Sequence, residues 1–238
     1  NRVDTRMFDT QVQYTFWGKP NGWFNRIYFW LRAYRISDHA PKLTDSRVAL
    51  GGSYEGRLQS YVTGIIRSNR EYFAGTLYNT DDLYAEVYFK PLNGFSFGVY
   101  ANPANAVDYA NVRPARRLLF GPYMEMGLGR HFNLNLGHNL ERLSSDGQRT
   151  YTANLLQAKL IYNVNIRSFL RAILQYRDVD RDPARYSYAV DKASRGLFTQ
   201  LLFSYKLNAK TVLFLGYSGQ LLGNQDIDLT RSDRTFFL

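Results

Sequence analysis

Leu170-Arg171-Ala172-Ile173-Leu174-Gln175-Tyr176-Arg177 is the stretch on which the fold turns. Leu170, Ala172, Leu174 and Tyr176 fall on one side of an extended chain, and Arg171, Gln175 and Arg177 fall on the other. Successive side chains of a β-strand point to opposite faces, so this period of two reads as a strand with one apolar and one polar face. The pattern spreads in both directions. Leu156, Ala158, Leu160 and Tyr162 alternate with Gln157 and Lys159 upstream. Leu197, Leu201, Phe203 and Tyr205 alternate with Gln200, Ser204 and Lys206 downstream, and Leu213, Leu215 and Tyr217 continue the series. Each apolar row ends in a tyrosine, as an aromatic girdle at a membrane interface would produce.

Earlier segments read the same way. Val12, Tyr14 and Phe16 oppose Gln11, Gln13 and Thr15, and Ile27, Phe29, Leu31 and Ala33 oppose Arg26, Tyr28, Trp30 and Arg32. Leu83, Ala85, Val87 and Phe89 oppose Tyr84, Glu86, Tyr88 and Lys90, and Phe95, Phe97, Val99 and Ala101 oppose Ser96, Gly98, Tyr100 and Asn102. Leu118, Phe120, Met124 and Met126 oppose Tyr123 and Glu125; Phe132, Leu134, Leu136 and Leu140 oppose Asn133, Asn135, Asn139 and Glu141, with His138 interrupting the apolar row. Between Arg47 and Tyr72 glycines blur the phase, and two strands are expected to meet near Glu55-Gly56-Arg57. About thirteen strands of roughly nine to twelve residues result, long enough to cross a bilayer at a tilt.

The connections read as alternately short and long. Gly18–Gly22, Pro91–Gly94, Gly129–His131, Asn163–Asn165 and Leu207–Lys210 are short; Ser37–Ser46, Gly75–Asp82, Pro103–Ala115, Leu143–Thr150, Asp178–Arg195 and Gln220–Asp233 are longer and polar. That alternation belongs to an up-and-down meander. A soluble β-sandwich also alternates apolar and polar residues, but its strands run nearer five or six residues and need cross-over connections. The expected fold is therefore all-β, a transmembrane antiparallel up-and-down β-barrel, with residues 1–238 as a single segment. An odd strand count is unusual for a bacterial barrel. With a last strand beginning at Arg234, it predicts a piece truncated at both ends of a larger barrel.

Bulk composition agrees. Mean hydropathy is −0.38 although aromatics reach 16%. The longest strongly apolar run, Val212–Tyr217, is far short of the roughly 20 residues of a spanning helix. A barrel strand needs only every second residue apolar. The net charge of +10 comes from 30 basic and 20 acidic residues spread along the chain, with 23 Arg against 7 Lys. A nucleic-acid binder would concentrate that charge in an arm or patch. Cysteine is absent, which removes disulfides, thiolate metal sites and thiol nucleophiles. The polar start, Asn1 to Thr10, has no signal-peptide apolar core, so the chain is expected to begin as mature protein or within a longer one.

Candidate site residues lie on the polar rows: Arg26, Arg32, Glu86, Glu125, Glu141, Lys159, Arg171, Gln175, Arg177 and Gln200 as lumen-lining. Rings of basic side chains would favour anions, but mixed signs on neighbouring strands suit salt-bridged bracing better. Tyr162, Leu170, Leu174, Tyr176, Phe203, Tyr205, Leu215 and Tyr217 are the lipid-facing and girdle candidates. Asp178-Val179-Asp180-Arg181-Asp182 has carboxylates at alternate positions, a spacing calcium uses, but Pro183 follows and no terminal glutamate completes the motif; a solvated loop is the simpler reading. His39, His131 and His138 show no metal-ligand spacing, and no nucleophile elbow, phosphate loop or dinucleotide fingerprint is present. Arg26, Tyr28, Trp30 and Arg32 could pass for a single-strand nucleic-acid surface, yet a lumen row explains them more simply.

The segments RSFLRAILQY (167–176), LFTQLLFSYKLNAKTVLFLGY (197–217) and DRTFFL (233–238), with VDYAN (107–111), resemble a bacterial outer-membrane family of unassigned function. Its members carry an N-terminal domain similar to carbohydrate-binding family 9, followed by a large barrel. The resemblance covers about residues 95–238 and implies that the carbohydrate-binding-like domain and early strands lie upstream, with a few residues after Leu238. Ala209 departs from the family's usual proline. The family has no agreed catalytic residues. The expected protein is thus an integral barrel of the bacterial outer membrane, with membrane lipid around it and no cofactor, metal or nucleic acid. It would pass or bind a polar solute, a glycan among the candidates. The alternatives are an anchor or subunit of an envelope complex with a protein partner, and a hydrolase using carboxylates such as Glu86 or Glu125.

Overall fold

The computed structural model describes residues 5–38, 43–208 and 210–238. His39 and Ala209 lie outside the described residues. The strands are β1 (Thr5–Trp17), β2 (Phe24–Asp38), β3 (Leu43–Gly56), β4 (Tyr61–Phe73), β5 (Thr76–Asn79), β6 (Asp82–Leu92), β7 (Phe95–Asp108), β8 (Arg113–Leu128), β9 (Phe132–Ser145), β10 (Gln148–Asn163), β11 (Ser168–Arg181), β12 (Ala193–Lys206), β13 (Val212–Asn224) and β14 (Thr230–Phe237). Two three-residue 3₁₀ turns, Arg57–Gln59 and Pro183–Arg185, are the helical elements among the described residues.

The fourteen strands of the described residues belong to one sheet, in sequence order except that β5 branches off and pairs with β4. The uninterrupted path therefore has thirteen strands, each next to its predecessor, the antiparallel up-and-down order of a β-barrel. The chain divides into two compact units. One comprises the chain up to Phe89 with Val99–Phe120 and Arg142–Arg149; the other comprises Lys90–Gly98, Gly121–Glu141 and Thr150–Leu238.

The strands are longer than the hydrophobic pattern predicts: most run 13 to 16 residues. The extra length comes from segments that look like long polar loops in the sequence. Pro103–Ala115 contains the end of β7 and the start of β8, leaving a turn at 109–112. Leu143–Thr150 shrinks to a hairpin closed by Asp146 and Gly147, both at positive φ (53° and 75°). That is the backbone a two-residue type I′ turn requires, and Asp-Gly is among its preferred pairs. Gly75–Asp82 holds β5, and the last strand begins at Thr230 rather than Arg234. Of the expected loop Asp178–Arg195, residues 182–192 stay outside the strands, and Asp182 Oδ1 accepts from the Ala184 N–H at 3.1 Å and caps the 3₁₀ turn. The glycine-blurred stretch resolves as β3 and β4, joined through Arg57–Gln59, beside the expected junction.

Candidate functional site

Antiparallel partners share a face, so the registers assign every paired side chain. In the first unit Leu31 pairs with Leu50, Leu50 with Ile66 and Ile66 with Leu83; Ile27, Tyr54, Val62 and Val87 form a parallel row. In the second unit Leu160, Ala172, Leu201 and Tyr217 are aligned across four strands, and Phe236 follows Tyr217. This apolar face is the exposed one. Leu31 is 50% exposed, Leu50 57% and Ile66 64%, whereas Ala49 and Thr63 on the polar face are 2% and 5% exposed. The arrangement inverts that of a soluble domain, in which large apolar faces are buried.

Within each unit the apolar face gives way to polar residues along the strands, on β2–β4 in the first and on β10–β12 in the second, while Phe8 on β1 reaches one row further. Beyond Ala33 and Val48 the next same-face row is Arg35, Ser46 and Arg70. Beyond Leu156, Tyr176 and Leu197 it is Asn154, Asp178 and Arg195, with Asp178 Oδ1 3.5 Å from Arg195 Nε. His138, the interruption in its apolar row, makes a 3.1 Å hydrogen bond with the Asn154 side chain and so belongs to this polar edge. From Tyr205 to Leu197 the apolar row covers about 26 Å along the strand at ~3.3 Å per residue, or roughly 20 Å of depth at the tilt of a barrel strand, comparable with the ~25 Å apolar band of outer-membrane barrels.

All eight lipid-facing candidates, Tyr162, Leu170, Leu174, Tyr176, Phe203, Tyr205, Leu215 and Tyr217, share this face. Tyr162 and Tyr205 lie near one edge and Tyr176 near the other. Tyr217 pairs with Leu201 and Phe236, within the band rather than at an edge. The expectation that every row terminates in tyrosine fails there.

The polar face behaves differently in the two units. In the first, its charges are matched. Arg26 forms a bidentate ion pair with Glu55, Arg32 reaches Asp9 (2.6 Å), and Arg67 reaches Asp82 (2.6 Å). Asp82 is the hub. Its Oδ1 accepts from Arg67 and from Asn102 Nδ2 (2.9 Å), and its Oδ2 accepts from Asn69 Nδ2 (2.9 Å). Asn69 Oδ1 accepts from Arg47 Nε (2.6 Å), and Asn102 Oδ1 accepts from Arg117 (3.2 Å). The network ties β3, β4, β6, β7 and β8 together. Tyrosines and Trp30 fill the space between: the Arg47 guanidinium lies 5.3 Å from the Tyr34 ring and that of Arg67 5.7 Å from the Tyr84 ring. Trp30 fits because Gly51 faces it; a Cβ there would come within 2.3 Å of the indole. Glu86 accepts from the Tyr84 hydroxyl (2.8 Å). At the strand ends Tyr109 donates to Glu71 (2.8 Å), and desolvation with that carboxylate pushes the phenol up to about 12.

In the second unit the polar rows of β10, β11 and β12 carry Lys159, Arg171, Arg177 and Arg181 and, from Tyr151 through Lys206, no carboxylate on that face of the paired residues. Arg171 donates to Gln200 (3.0 Å), and Gln175 pairs with Gln157 across β10. Glu141 accepts from Tyr151 (2.6 Å). Glu125 is exposed on the row of Tyr123. The expected salt-bridged bracing thus describes the first unit, whereas these three strands present uncompensated positive charge. Asp178, Asp180 and Asp182 do not converge: the first faces Arg195 and the last caps its turn. The sequence reading missed Asp82, Asn69, Asn102, Arg47 and Arg67, whose polar character was visible but whose partners are separated by up to dozens of residues. Compared with protein-family models, the sequence matches none. Nor does any curated protein match it.

Proposed function

We propose that this chain is part of the wall of a bacterial outer-membrane β-barrel that passes or binds a polar solute, with its polar face toward the lumen and a preference for anions. One observation carries the membrane placement: in each unit the apolar face is the exposed face, and along the strands it gives way to polar residues. A soluble fold would bury those rows, whereas a bilayer solvates them. The preference for anions rests on Lys159, Arg171 and Arg177, because uncompensated basic side chains along a lumen lower the barrier for anions. An upstream carbohydrate-binding-like domain, implied by the family resemblance, would make a glycan the solute of first interest.

The second reading is a scaffold, an anchor or subunit of an envelope complex. The Asp82 network favours it locally, since a densely hydrogen-bonded polar wall braces rather than conducts. Single-channel recording of the full-length protein in planar bilayers separates the two. Transport predicts conductance with anion preference, and Lys159→Glu/Arg171→Glu/Arg177→Glu should reverse that preference. Silence in the bilayer, together with a stoichiometric partner that co-purifies, would establish the scaffold instead.

A further inference from the structure

On the apolar face of the first unit, a shallow groove of about 610 Å³ lies where the apolar rows end. Ile66, Leu83 and Leu118 line it together with Arg116 and Arg142, and Arg67 and Arg117, already engaged in the Asp82 network, border it as well. Alternation along β8 puts Arg116 on the face of Leu118 and Phe120, and along β9 puts Arg142 on the face of Leu140. On the same unit Arg35 and Arg70 sit in the row immediately beyond the apolar band, two strand spacings apart across Ser46. All four arginines are exposed, and none has a hydrogen-bond or ion-pair partner among the described residues. Both acids at the groove are already occupied: Asp81 Oδ1 accepts from the Ser68 hydroxyl and the Asn69 N–H at 3.0 Å each, and Asp82 is paired with Arg67.

Exposed charges usually gain little from fixed position, but these four share a distinctive setting. They are guanidinium groups at the polar edge of an apolar surface. An amphiphile whose phosphates meet the arginines and whose chains lie over Ile66, Leu83 and Leu118 satisfies both halves of the groove. Guanidinium groups suit this role because they bind phosphate oxygens through two parallel N–H donors and are weakly hydrated. The edge lies at the strand ends joined by the connection 74–81 that holds β5, and the longer connections of outer-membrane barrels face outward.

We propose that this groove and its arginine row bind the phosphorylated headgroup of a multiply acylated lipid of the outer leaflet. The proposal rests on the membrane placement above and adds a specific lipid contact to it. The test uses the full-length protein in phosphatidylcholine vesicles doped with bisphosphorylated lipid A, followed by native mass spectrometry of the released protein. Lipid A should be retained by the wild type, and Arg116→Gln/Arg142→Gln should weaken retention roughly thirtyfold, as expected from two juxtamembrane arginines. Arg130→Gln/Lys210→Gln removes the same charge from turns at the opposite strand ends and should leave retention unchanged. Equal retention by the groove variant, or equal retention of dephosphorylated lipid A, would overturn the proposal. Displacement by millimolar inorganic phosphate would reassign the site to free phosphate. Resistance to carbonate extraction, read on the same vesicles, keeps the two claims apart. A protein that integrates but shows no lipid preference overturns the headgroup site alone, and one that fails to integrate overturns both.

Discussion

Leu174→Arg is expected to destabilise the protein in a bilayer by about 2–4 kcal/mol, the cost of a basic side chain near the midplane of a barrel's lipid face. Leu174 is 42% exposed, flanked on its face by Ala158 and Thr199. In water, an arginine at such an exposed position would change stability by a few tenths of a kcal/mol at most. The size of the effect therefore reports which solvent the apolar face meets. Ile173→Arg is the matched control: one residue away, it adds the same charge to the polar face next to Lys159 and Gln200. Urea titration of vesicle-reconstituted protein, followed by tryptophan emission and by heat-modifiable migration on gels, should show a large loss for Leu174→Arg and a small one for Ile173→Arg. Equal effects would remove the distinction between the faces.

The second large effect is expected at Asp82. Asp82→Asn keeps the shape but turns one acceptor oxygen into a donor facing Asn69 Nδ2, and it leaves the Arg67 guanidinium without a counter-charge. The Asp82 side chain is 10% exposed and that of Arg67 23%, so water compensates poorly. Removing one partner of a largely buried, hydrogen-bonded pair typically costs about 3 kcal/mol or more. Asp178→Asn breaks an ion pair whose side chains are 36% and 48% exposed, and it should cost under about 1 kcal/mol. The same urea titration measures both. A loss at Asp82 no larger than at Asp178 would mean that the network does not brace these strands.

Much of this architecture could be read directly from the sequence where the alternation is uninterrupted. The rows around Leu160, Ala172, Leu201 and Leu215 are unambiguous because each apolar position is filled and each pairs with another. Between Arg47 and Tyr72 the same pattern was hidden. Gly52 and Gly64 oppose each other on the apolar face, and Gly51 makes room for Trp30 on the other, so three positions carry no side chain to mark a phase. Loop lengths were overestimated for a related reason. Past the edge of the apolar band both faces of a strand are polar, and segments such as Asn105–Asp108 carry no alternation although the backbone ladder continues.

Site residues were legible as types but not as partners. Arg26 and Arg32 look alike in the sequence, yet Arg26 meets Glu55 directly opposite it on β3 and Arg32 meets Asp9 diagonally across β1, partners that only the strand registers reveal. Arg171 and Arg177 look no different, and the registers place no carboxylate beside them. Likewise, Arg116 and Arg142 became significant only when the groove joined them to Ile66 and Leu83.

Because the chain has no native cysteine, single-cysteine spin labels can be introduced along residues 168–180 of β11 without a prior substitution. Accessibility of each label to oxygen and to a water-soluble nickel chelate, in lipid vesicles, tests the lipid-facing placement most directly. Labels at 170, 172, 174 and 176 should meet oxygen and exclude nickel, those at 171, 173, 175 and 177 should do the reverse, and the label at 178 should cross over to nickel. Nickel access on both faces throughout, with no step between 176 and 178, would contradict a membrane-spanning strand.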